Sequence, residues 1–90
     1  MSVTVKLPTQ LRDAAGGNAS VAVEGGTVGE ALDALFEVHG ELRERLFQDG
    51  ELRRFVNVFV AGEDVRYLDG LETAVPAGGE LTILPAVAGG

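Results

Sequence analysis

One helix and many strands constrain this chain more than anything else in it. Only the stretch from Thr27 to Gly40 carries a long helical period, with Val28, Leu32, Leu35, Phe36 and His39 on one face. Thr27 followed by Glu30 is a capping box that sets its start, and Gly40 is a plausible stop. The other apolar stretches mostly alternate. Val3, Val5 and Leu7 form a first strand ended by Pro8; Ala19, Val21 and Val23 form a second, broken by Gly25-Gly26. Residues 9–15 read as a short helical turn anchored by Leu11, and 41–48 as a second helical piece presenting Leu42 and Leu46. Asp49-Gly50 is a turn. The β-branched and aromatic run Phe55–Val60 is the strongest strand, followed by a turn at 61–64, a short strand at 65–67 and a last strand at 80–84. The order β-β-α-β-β-β in ninety residues predicts an α+β domain, one mixed sheet packed on one main helix.

A single helix covers one side of a sheet. Val56, Val58 and Val60 make an aliphatic core face, so Phe55, Asn57 and Phe59 point the other way. On the last strand Leu81 and Ile83 share the core side, and Thr82 and Leu84 the opposite one. Phe55, Phe59 and Leu84 are therefore either an exposed docking patch or are covered by residues 41–48 or 69–79.

After Leu84-Pro85 the sequence has a different character. Ala86-Val87-Ala88-Gly89-Gly90 is small and apolar and finishes in two residues without side chains. Extended, these five residues reach at most about 17 Å, enough to thread a narrow channel. The division is a domain at 1–85 and a flexible tail at 86–90 that delivers the Gly90 carboxylate to another protein. Three other Gly-Gly pairs read as turns, so the dipeptide signals by its place at the end of the sequence.

Charge and composition exclude much. Fourteen acidic against seven basic residues give −7, which argues against nucleic acid and anionic membranes. No leader or apolar run of membrane-spanning length is present, and a cytoplasmic location is expected. Without cysteine there is no disulfide, thiolate metal site or thiol nucleophile. The lone His39 on an apolar helix face near its C-terminus reads as a packed or dipole-compensating residue, not a catalyst or ligand. The stripe Glu30, Asp33, Glu37, Glu41 and Glu44 is a solvated face. Arg53-Arg54 either guards a strand edge or meets an acidic partner. No catalytic residue, metal site or bound cofactor is expected, and the chain reads as a partner of enzymes and not as one.

The acidic single domain, the strand and helix order and the Leu-Pro-Ala-Val-Ala-Gly-Gly ending resemble the ubiquitin-like sulfur carriers of the MoaD/ThiS family, which have the β-grasp fold. The blocks Arg54–Val60 with Glu63–Arg66, and Thr82–Gly90, are similar to the CysO branch of that family. The resemblance implies that an E1-like adenylating enzyme uses Mg-ATP to activate Gly90, and that sulfide or persulfide sulfur converts it to a thiocarboxylate. It implies a docking face at Phe59 and Leu84, and with these Arg54, Phe55, Pro85, Ala86, Val87, Ala88 and Gly89 are the expected partner contacts. It further implies a sulfur-accepting biosynthetic enzyme, either a pyridoxal-phosphate cysteine synthase or an enzyme of another sulfur-containing product, and in the CysO branch a trimming metalloprotease. Two other functions remain open at this point: a modifier joined to lysines through Gly90, and a β-grasp interaction domain with an inert tail.

Overall fold

The computed structural model describes residues 2–48, 51–52 and 56–85. Strand β1 (Ser2–Lys6) pairs antiparallel with β2 (Ser20–Glu24), Val3 opposite Val23 and Val5 opposite Val21. Leu7 extends the pairing by donating its N–H to Ala19 (2.8 Å). Between them residues 9–15 form a 3-10 segment. Leu11, its expected anchor, is only half-buried; the small Ala14 and Ala15 pack inside instead.

Helix α1 (Val28–Val38) then crosses the sheet with Val28, Ala31, Leu32, Leu35 and Phe36 buried. Its start is double-capped: the Thr27 hydroxyl accepts from the Glu30 N–H (3.2 Å), and Glu30 Oε1 accepts from the Gly26 N–H (2.8 Å). The carboxylate thus reaches one residue beyond the usual capping box. Gly40 does not stop this helix in a left-handed turn. His39 leaves the helical angles there (φ −128°, ψ 76°), and Gly40, at φ −58°, leads directly into α2 (Glu41–Leu46). Leu42 and Leu46 are fully buried as expected, but α2 ends two residues early. Phe47-Gln48 is a strand, β3, paired with β4 (Glu51–Leu52) across the Asp49-Gly50 dipeptide, itself outside the described residues. Phe47 is drawn into this extended backbone while its ring meets Phe36 edge-on, centroids 5.2 Å apart.

Strand β5 (Val56–Val60) turns through Ala61-Gly62, both at positive φ (53° and 85°), into β6 (Glu63–Asp64). Two central residues with positive φ mark a type I′ hairpin, which starts the return strand at Glu63 and not at Val65. Residues 65–67, read from sequence as a strand, are a 3-10 turn because the Asp64 carboxylate caps the Arg66 N–H (2.9 Å). After a further turn at 70–72, β7 (Glu80–Pro85) inserts between β1, to which it is parallel, and β5, to which it is antiparallel. The main sheet has the order β2-β1-β7-β5-β6. Its helix-facing side supplies Val3, Val5, Val23, Val56, Val58, Val60, Leu81 and Ile83 to one core shared with α1 and α2. This is the ubiquitin-like β-grasp architecture. No helix among the described residues is long and apolar enough to cross a membrane.

Candidate functional site: the outer sheet face at the root of the tail

The face of the sheet turned away from α1 is set by strand alternation. Because Val58 and Ile83 point inward at 1% exposure each, Asn57, Phe59, Thr82 and Leu84 point outward. Register places Asn57 opposite Leu84, and Phe59 opposite Thr82; Lys6 adjoins Thr82 from the other side. Leu84 is 45% exposed and Phe59 half-buried. The two segments that might have covered this face lie elsewhere. Helix α2 packs on α1 and on residues 9–15, and the 70–75 stretch lies along the start of α1, where Thr73 accepts from Val28 N–H and Val75 donates to Gly26. Leu84 is left uncovered.

Arg66 is a member of this face that the sequence did not announce. Its Nη1 donates to Asn57 Oδ1 (2.7 Å) and its Nη2 to the Val56 carbonyl. It thereby pins the two residues of β5 that pair with Leu84 and Pro85, where β6 is already too short to help. Reading 65–67 as a strand hid this; the Asp-x-Arg cap was the signal available. On the opposite flank the parallel ladder between β1 and β7 ends at Lys6 and Thr82, since Pro8 has no N–H to continue it. An open groove of about 470 Å³ lies there, lined by Lys6, Pro8, Gln10, Arg12, Thr82 and Leu84 among others.

Of the expected contact residues, the structure brings Phe59 and Leu84 together on one face and carries the backbone of Pro85 into β7. Arg54, Phe55, Ala86, Val87, Ala88, Gly89 and Gly90 lie outside the described residues. Among the described residues no group of three or more His, Cys, Asp or Glu is placed to hold a metal ion.

Residues 5–90 match the ThiS family. The chain belongs to that family. Among its ThiS-family relatives, the sulfur carrier protein CysO of Mycobacterium tuberculosis is 47% identical over 93 residues, covering both chains in full. CysO of Amycolatopsis orientalis, solved in a complex with BexX, superposes with a TM-score of 0.91 at 50% identity, over 98% of this chain and 99% of that one. Small archaeal modifier protein 1 of Haloferax volcanii superposes at 0.85 with 40% identity, all of both chains covered. With the sulfur carriers as homologues, this ThiS-family chain is a protein carrier and not an enzyme.

Proposed function

We propose that this chain carries sulfur as a thiocarboxylate on Gly90 and donates it to a biosynthetic enzyme. The observation that supports this most is similarity to sulfur carrier proteins over their whole length, running through to Gly90. A carboxylate is a poor electrophile, so an ATP-dependent partner first makes the acyl-adenylate, with AMP as leaving group. Sulfide displaces AMP to give the thiocarboxylate directly; a persulfide displaces it to give an acyl disulfide, which a partner thiol cleaves to –COSH while itself ending in a disulfide. The resulting –COSH is more acidic than an alkyl thiol, so it is a thiolate nucleophile at neutral pH. The outer face at Phe59 and Leu84 docks the domain, Arg66 steadies the root, and residues 86–90 enter the partner's active site. Absence of cysteine suits the task, because no internal thiol competes for the acyl group. The acceptor is a sulfur-incorporating enzyme, either a cysteine synthase or an enzyme of another sulfur-containing metabolite.

The test is the intact mass of untagged protein from its native cells. A fraction heavier by the difference between sulfur and oxygen, mapped to Gly90 and removed by an alkylating probe, is expected. A carboxylate that stays unmodified after incubation with ATP, sulfide and cell extract would sink the reading. A second reading, conjugation of Gly90 to lysines, is favoured by the relatives named small archaeal modifier proteins. Its signature after trypsin is residues 67–90 on a target lysine, because Arg66 is the last basic residue of the sequence.

A further inference from the structure

An activated acyl group is open to capture by any amine or thiol nucleophile that reaches it. This sequence holds few: no cysteine, and Lys6 as the single lysine among seven basic residues. That lysine ends β1 on the outer face, in register with Thr82 and two positions from the level of Leu84. Its Nζ lies 3.0 Å from Glu80, with 56% of the side chain exposed. It also forms one wall of the groove beside β7.

The chemistry of that groove fits one kind of occupant. Its lining includes two cations, Lys6, which is paired with Glu80 just outside the lining, and Arg12, with Leu84 as the exposed apolar side chain beside them. Arg12 is held in place by donating from Nε to the Leu7 carbonyl (3.2 Å). A thin apolar peptide ending in a carboxyl group complements it, and Ala86-Val87-Ala88-Gly89-Gly90 has that composition.

We propose that the groove receives the C-terminal segment of a second copy, and that Lys6 is the amine that captures an activated Gly90. The inference rests on the activation of Gly90 set out above. Unprotonated Nζ attacks the carbonyl carbon of the Gly90 acyl-adenylate. A C–N bond forms, the C–O bond to phosphate breaks, AMP departs with the electron pair, and the amine proton passes to solvent. No oxidant or reductant is required, and ATP supplies the activation. The product is a dimer joined by a Lys6–Gly90 isopeptide bond. The acylated copy then bears a whole second domain on the face that holds Leu84 and is withdrawn from the activating enzyme.

The test uses the full chain with Gly90 prepared as an alkyl thioester, which stands in for the adenylate and needs no activating enzyme. It is concentrated at mildly alkaline pH, with free lysine amide present as a competing amine, and the products are mapped by intact mass and fragmentation. The expected result is a covalent dimer linked at Lys6, formed about tenfold faster than the lysine amide adduct at matched amine concentration, a gain of the kind that positioning supplies. Lys6→Arg removes the dimer, and Arg12→Gln slows it several-fold with the amine still in place. Acylation of Lys6 no faster than that of lysine amide, or an undiminished dimer in Lys6→Arg, would overturn the proposal. A thiocarboxylate on Gly90 in native cells without the Lys6 dimer in the tube defeats this inference alone. An unmodified Gly90 in cells defeats the sulfur-carrier reading and removes the basis for this one.

Discussion

Two glycine-to-alanine substitutions, fifteen positions apart, are expected to move stability in opposite directions. A Cβ on Gly25 falls 2.6 Å from the Ala31 nitrogen and 2.9 Å from its Cα, where ordinary contact begins at 3.4 Å. The obstructing atoms are backbone of α1, so no side-chain rotation relieves the clash; the helix must lift from the end of β2. Overpacking of this kind costs about 3 kcal/mol, and the lower unfolded-state entropy of alanine returns about 0.5–1. Gly25→Ala is thus destabilising by about 2 kcal/mol. At Gly40 the backbone is already helical and the nearest atom to a new Cβ, the Phe36 carbonyl oxygen, is 3.6 Å away. Gly40→Ala is expected to stabilise by about 0.5 kcal/mol. Urea unfolding followed by far-UV circular dichroism suits the measurement, since there is no tryptophan and Tyr67 is 87% exposed. With a slope of about 1 kcal/mol per molar urea, Gly25→Ala lowers the midpoint by about 2 M. A midpoint for Gly25→Ala equal to or above that of the parent would refute the close approach of α1 to β2.

Thr27→Ala removes the hydroxyl that accepts from Glu30 N–H and is expected to cost about 1 kcal/mol by the same assay. Ile83→Ala, at 1% exposure between β1 and β5, costs about 2–4 kcal/mol. On the proposed function, the adjoining Leu84→Asp changes stability by no more than about 0.5 kcal/mol while abolishing adenylate formation, measured as pyrophosphate release with the activating enzyme. Retention of that activity would remove Leu84 from the docking face. On the same proposal, deleting Gly90 leaves the unfolding curve unchanged and eliminates the sulfur-bearing mass.

What was legible in the sequence was whatever depends on periodicity. Val56, Val58, Val60, Leu81 and Ile83 alternate strictly, and the structure buries all five. The helix face was equally plain, since Val28, Leu32, Leu35 and Phe36 repeat at helical spacing over more than two turns. Short segments decided by one side chain or one pair of dihedral angles were not. Val65-Arg66-Tyr67 has the composition of a strand, and a single Asp64 carboxylate makes it a turn. Phe47-Gln48 follows a helical pattern, yet pairing with Glu51-Leu52 wins over two more residues of helix. Gly40 carries no mark to tell a helical glycine from a left-handed one. Within the candidate site Phe59 and Leu84 followed from alternation, whereas Arg66 needed the three-dimensional route by which its guanidinium returns to β5.

The strand order has a consequence for how the tail is controlled. The hairpins β1-β2 and β5-β6 share no backbone pairing with each other; β7 alone joins them, though it follows all four in the sequence. An N-terminal fragment that stops between residues 65 and 79 therefore lacks the strand that joins the β1-β2 and β5-β6 hairpins into one sheet. Fraying from Pro85 first breaks pairing with β5 alone; once it reaches Thr82 it also breaks the pairing with β1 and exposes Leu81 and Ile83. The strand that leads to residues 86–90 is thereby the central strand of the sheet. On the proposed function, a partner that grips residues 84 and 85 holds the end of the strand that joins the two hairpins.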